Sequence, residues 1–174
     1  MAAIATVPLL LAGCAADAPS APPGPAVGSS ISTGDVNVDC DHEIGHAPPD
    51  DAEEVIADAV ALVDADAVLH PTPVEGVDGT AFDGDWIWAK DGVTVRGGVK
   101  VELSVPDALE GSLLIGWGAP AEPATRVVLH CDGESEWWSF SGGYWAAQPG
   151  CHTVEVRVAG GDVHVVGIPV GVGC

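Results

Sequence analysis

Residues 125–174 read TRVVLHCDGESEWWSFSGGYWAAQPGCHTVEVRVAGGDVHVVGIPVGVGC and hold three of the five cysteines and three of the six tryptophans. The run 125–131 is short and β-branched and stops at the turn signal Asp132-Gly133, which predicts a strand. Residues 136–141 are aromatic, and Gly142-Gly143 after them predicts a tight reversal into Tyr144-Trp145. Pro149-Gly150 marks a second turn. Beyond Cys151, Val154, Val156 and Val158 alternate with Thr153, Glu155 and Arg157, the period of two expected of a strand with one buried face. Gly160-Gly161 joins it to another apolar run, forming a hairpin. Pro169 puts that last strand at an edge or a bulge, because proline cannot donate to a ladder.

Upstream, Trp86 and Trp88 share a face of a short strand. Val93 to Val95, and then Val99, Val101, Leu103 and Val105 alternating with Lys100, Glu102 and Ser104, predict the next ones. Residues 112–117 form a nearly continuous apolar run, as in a strand buried on both sides. About seven or eight strands at this spacing predict a mainly β fold, an antiparallel β-sandwich, immunoglobulin-like or similar. One helix is expected before it, over about 51–63. Asp50 can cap it, Glu53 follows three residues later, and Ala52, Val55, Ile56, Ala59, Val60 and Val63 fall on one helical face.

The chain carries 26 acidic residues against five Lys and Arg, for a formal charge of −21. Nucleic acid and anionic headgroups require a cationic patch to displace counterions, so binding to either is excluded as an expectation. The bland account of the acidity is solubility by net charge.

Residues 1–13 are apolar and end in Leu11-Ala12-Gly13 before Cys14. This resembles the bacterial lipobox, which implies a signal peptide of residues 1–13, cleavage before Cys14 and a lipid on its thiol. No Lys or Arg precedes the apolar run, a departure from that pattern. Residues 14–34, rich in Ala, Pro, Gly and Ser, cannot bury enough apolar area to offset their chain entropy and read as a disordered tether. The expected layout is therefore a single domain, 35–174, with an N-terminal segment 35–79 and a sandwich 80–174. It would be held on the outer face of the cell membrane through Cys14. If Cys14 carries lipid, Cys40, Cys131, Cys151 and Cys174 remain for two disulfides, with three possible connectivities. The preferred pairing is Cys131 with Cys174 and Cys40 with Cys151. Each bridge contributes about 2–4 kcal/mol.

His42-Glu43-Ile44-Gly45-His46 is a literal H-E-x-x-H, the motif in which two histidines one helical turn apart hold zinc while the glutamate activates its water. Pro48-Pro49 follow at once and disfavour the helix the motif needs, and no third ligand follows at a suitable spacing. An exposed histidine pair is the preferred account, and a zinc hydrolase on His42, Glu43 and His46 the alternative. No cofactor is expected. The nucleophile elbow, the phosphate-binding glycine loop and the dinucleotide fingerprint are all absent from the sequence.

Several features together resemble a group of uncharacterised secreted proteins of actinobacteria. They are Lys90 in a short strand, Ser104-Val105-Pro106, a strand ending at Cys131, Phe140-Ser141-Gly142-Gly143-Tyr144, a Pro-Gly-Cys before a strand, and the terminal Gly171-Val172-Gly173-Cys174. The resemblance covers about 86–174 and implies a secreted location but no activity. Trp137, Tyr144 and Trp145 remain as a candidate binding surface, since neighbours in a strand point to opposite faces and exposed aromatics stack on sugars or anchor peptides. Against this, large aromatics in so small a domain usually belong to the core. The leading expectation is a non-enzymatic, lipid-anchored surface module for a protein or glycan partner. A purely structural envelope protein is a further alternative.

Overall fold

The structure is a computed structural model that describes residues 29–30, 35–50, 53–62, 68–74, 77–78 and 85–174. The expected signal peptide, Cys14 and most of the expected tether lie outside the described residues. The described strands are β1 (Ser29–Ser30), β2 (Val36–Val38), β3 (Val60–Leu62), β4 (Pro71–Val74), β5 (Val77–Asp78), β6 (Trp86–Arg96), β7 (Val101–Ser104), β8 (Leu113–Trp117), β9 (Arg126–Leu129), β10 (Trp137–Ala146), β11 (Gly150–Val158) and β12 (Val163–Val170). Short 3-10 turns occupy Cys40–His42 and Asp107–Leu109. Within the expected tether, β1 pairs in parallel with β5 over two residues.

Two sheets pack against each other. The first runs β3-β6-β10-β8, with β4 extending the β3 edge along β6, and the second runs β12-β11-β7-β9-β2. All pairings within the two sheets are antiparallel except β2 with β9. Alternation decides which side chains meet between the sheets. The first contributes Val93, Val95, Ile115, Trp117, Phe140 and Tyr144, and the second Leu103, Val127, Leu129, Val154, Val156 and Ile168. As the apolar run implied, every residue of β8 is buried. The β11–β12 hairpin forms as expected, with β12 and its Pro169 at a sheet edge.

Three expectations of local structure are corrected. The helix over 51–63 is not shown: Asp51, Ala52 and Val63 lie outside the described residues, and 53–62 form a bend, a turn and β3. Ala57 and Asp58 have φ of 48° and 56°, the Ile56 N–H donates to the Val60 carbonyl, and Val60–Leu62 then pair with Val93–Val95. Two successive left-handed residues reverse the chain, and burial of three consecutive residues against β6 overrides the helical spacing. Nor do Gly142-Gly143 turn. They lie inside the continuous β10, and Trp86 to Val95 likewise belongs to the single strand β6. These glycines serve close approach of neighbouring strands: a Cβ on Gly142 would meet the Gly116 carbonyl oxygen at 2.0 Å, and one on Gly143 the Ala89 oxygen at 2.1 Å. Residues 71–74 form β4 although they hold two prolines. Its Pro71 and Pro73, two residues apart, remove donors from one side only, which an edge strand tolerates.

The preferred disulfide pairing is overturned. Cys151 bonds Cys174, while Cys40 and Cys131 are thiols. Cys151 pairs across from Pro169 on the outer face of the second sheet, whereas Cys131 is buried in the core. Three strand spacings, about 14 Å in all, separate β11 from β2 beside Cys40, too far for a bridge. The observed bond lies over Gly167, whose missing side chain leaves it room. It closes a loop of 23 residues and ties the exposed C-terminal residues to β11. The double variant Cys151→Ala/Cys174→Ala is expected to lose about 3 kcal/mol in urea unfolding under non-reducing conditions. An unchanged midpoint would show that the bond contributes nothing to stability.

Candidate functional site

Past β2 the chain leaves the second sheet, makes the 3-10 turn at Cys40–His42 and crosses to the first. There Gly45 bridges to Ser139: the Ile44 N–H donates to the Ser139 carbonyl at 2.8 Å, and the Ser139 N–H to the Gly45 carbonyl at 2.9 Å. The H-E-x-x-H motif is thus spread over a turn and an extended segment, with Glu43 at φ −75°, ψ 162°. Its histidines go to different carboxylates. His42 Nδ1 lies 2.9 Å from Asp39 Oδ1, and His46 Nε2 lies 3.6 Å from Glu43 Oε1 while its ring meets Trp138 edge-on at 4.6 Å. The hydrogen bond from His42, then that from the Asp41 N–H, holds the Asp39 carboxyl below the usual carboxylate range. Glu43 Oε2 is buried without a hydrogen-bond partner. Among the described residues no three His, Cys, Asp or Glu side chains are grouped to hold a metal ion. The zinc arrangement requires both imidazoles on one helical face, and Pro48-Pro49 together with the Ser139 pairing favour an extended chain instead.

The aromatic candidates are brought together but not to the surface. Tyr144 is wholly buried on the core side of β10, and Trp137 and Trp145, on the opposite face, are each 8% exposed. The Arg96 guanidinium lies over the Trp137 ring at 5.0 Å. Trp145 joins Trp86 and Leu114 in a second apolar cluster, with the Trp88 ring 6.3 Å away. These rings cover a sheet face, so an exposed aromatic platform on Trp137, Tyr144 and Trp145 is corrected to a buried one.

Tyr144 takes part in a buried polar pair that the sequence reading missed. Its hydroxyl donates to Asp91 Oδ2 at 2.9 Å, and the Gly92 N–H donates to Asp91 Oδ1 at 2.7 Å. Burial, then the nearby carboxylate, pushes the Tyr144 phenol well above its ordinary range. The signal was one of parity: Ala89, Asp91, Val93 and Val95 fall on one face of the strand, and a lone carboxylate there must find donors in the core.

Among the described residues, two further exposed regions bear on binding. On the outer face of the second sheet, Arg126 pairs with Glu102 and, at 3.3 Å, with Asp35. Lys100, Glu102, Arg157, Ala159 and Gly160 line a depression of about 340 Å³ at the end of that face. The Arg157 guanidinium is engaged there by the Gly161 carbonyl at 2.8 Å. The other region is the edge strand β12. Near its C-terminal end Leu69 pairs with it, donating its N–H to the Pro169 carbonyl at 2.8 Å and accepting from the Gly171 N–H at 2.8 Å. Among the described residues, 163–167 pair with β11 alone, and Val163 and Val165 are 40% and 64% exposed. No described helix is long and apolar enough to cross a membrane.

No protein-family model, curated protein or solved structure matches this chain.

Proposed function

We propose that this protein is a lipid-anchored, extracytoplasmic, non-enzymatic binding module that accepts an extended segment of a partner protein along the open half of β12. The observation that carries the binding half is that edge: a half-paired strand with two exposed valines. Unpaired N–H and C=O groups on a strand edge supply main-chain affinity to an added strand, and exposed side chains supply selectivity. A formal charge of −21 favours a cationic segment as the addition. Leu11-Ala12-Gly13-Cys14, the tether and the likeness to secreted actinobacterial proteins support the location. The two-sheet architecture, immunoglobulin-like in the finer reading, is one that many cell-surface modules use. Burial of the tryptophans weakens a glycan-stacking role, and the extended H-E-x-x-H segment weakens a hydrolytic one.

The test places a photo-reactive phenylalanine derivative at His164 in the full chain, expressed in bacterial cells that process lipoproteins and fed a labelled fatty acid. Label that requires Cys14 is expected, together with a cross-linked protein adduct of discrete mass that disappears on Val165→Lys. Absence of label would overturn the anchor. No adduct, or one that persists in Val165→Lys, would overturn the edge-binding role.

A further inference from the structure

Cys40 and Cys131 are 91 positions apart in sequence and meet at one corner of the second sheet. The parallel ladder of β2 on β9 pairs Val36 with Val127, Asn37 with Val128 and Val38 with Leu129, and the His130 N–H continues it by donating to the Val38 carbonyl at 3.1 Å. Asp39 is still extended, so that register brings Cys40, where the 3-10 turn begins, alongside Cys131 on the core-facing side shared by Val38 and Leu129. Neighbouring strands lie about 4.8 Å apart, inside the Cα separation that a disulfide spans. Cys131 is fully buried within the core, and Cys40 is half-buried and packs against that core. The Cys40 thiol is close enough to add to the rise that burial imposes on the Cys131 thiol.

We propose that Cys40 and Cys131 form a second disulfide, a clasp that locks β2 to β9 when the protein meets a disulfide-bearing oxidant. This gives the remaining half of the connectivity and replaces the pairing expected from sequence. The chemistry is two-step thiol–disulfide exchange. The more exposed Cys40 thiolate attacks a small-molecule disulfide, forming a mixed disulfide and releasing one thiolate. Cys131 Sγ then loses its proton and attacks Cys40 Sγ, breaking the mixed bond and releasing the second thiolate. Both protein thiols are oxidised, the oxidant is reduced to two thiols, and the two protein protons end on them. Burial, then the Cys40 thiol, pushes the Cys131 thiol well above its ordinary range, which assigns the first attack to Cys40 and makes Cys131 the resolving thiol.

The clasp matters because of where it lies. Within its sheet β2 is an edge strand held by three ladder residues, and it is the first strand of the two sheets after the tether. A load on the tether that exceeds what the two-residue β1–β5 pair holds would reach the two sheets through β2, and the bond would fasten that entry point. This mechanical role rests on the lipid-anchored reading; formation of the bond does not.

The test uses the 174-residue chain carrying Cys14→Ser, incubated with oxidised glutathione, alkylated in denaturant and digested without reduction. A Cys40–Cys131 linked peptide is expected beside the Cys151–Cys174 one. The melting temperature is expected to exceed that of Cys40→Ser by on the order of 10 °C, with the difference vanishing in reductant. Cys40→Ser is the variant of choice because the half-buried site tolerates it, whereas Cys131→Ser would bury a hydroxyl. Alkylation of both Cys40 and Cys131, or a bond from either to Cys151 or Cys174, would overturn the proposal. Because the oxidant is supplied, neither result depends on whether Cys14 carries lipid.

Discussion

Gly142→Ala is expected to destabilise the protein by more than about 4 kcal/mol and to leave little folded material at 25 °C. The added methyl would lie 2.0 Å from the Gly116 carbonyl oxygen and 2.7 Å from Trp117 Cα, both backbone atoms of β8. Strand β8 cannot retreat, because Ile115 and Trp117 are fixed in the core on one face while Leu114 is buried in the second cluster on the other. Nor can β10, which is paired with β6 along its entire length. Gly45→Ala is the control: a Cβ there meets nothing within 4 Å, and a change within about 0.5 kcal/mol is expected. Urea unfolding of both variants is the measurement. A folded Gly142→Ala protein with an unchanged midpoint would mean that β10 and β8 are not paired in this register.

Tyr144→Ala is expected to cost about 5 kcal/mol and Tyr144→Phe about 2 kcal/mol. The larger figure combines an aromatic-sized cavity between the sheets with loss of the hydroxyl, and the smaller isolates the hydrogen bond to a buried carboxylate. The ring also meets Trp117 edge-on at 5.6 Å, a contact that Tyr144→Phe keeps. The pH dependence follows from the direction of the shift. The folded state favours the neutral phenol, so its folded pKa lies above the unfolded value of about 10. The native state therefore holds more protons above that pH, and stability falls as pH rises. Tyr144's contribution is complete below about pH 10 and is lost above it. Cys131, raised in the same sense by burial and then by Cys40, adds a fall beginning near the ordinary thiol value of about 8.5. Urea midpoints of the reduced protein are expected to decline from about pH 8.5 upward and more steeply above about pH 10, with Tyr144→Phe removing that added steepness while the Cys131 part remains. An equal decline in parent and variant would show that Tyr144 does not titrate in this way.

Two-residue alternation in 151–158 and the continuous apolar run in 113–117 made β11 and β8 legible in the sequence, because each pattern follows from how one strand divides its side chains between faces. Pro169 similarly announced an edge, since a missing N–H is a property of the residue itself. Gly142-Gly143 could not be read in the same way. The residue type says only that a side chain is intolerable there, and whether a turn or a neighbouring strand makes it so depends on what lies beside it. Residues 53–62 carry helical spacing, yet the exposed row of N–H and C=O groups on β6 recruits Val60–Leu62 into a ladder. The candidate site divides along the same line. The likeness of Leu11-Ala12-Gly13-Cys14 to a lipobox, the Ala, Pro, Gly and Ser content of 14–34 and the acidic balance are local or summed properties, complete in the sequence. The burial of Trp137, Tyr144 and Trp145, the Asp91–Tyr144 pair, the bond from Cys151 to Cys174 and the meeting of Cys40 with Cys131 depend on strand order and register. Sheet neighbours far apart in the chain set those features, and no local pattern encodes which strands will be neighbours.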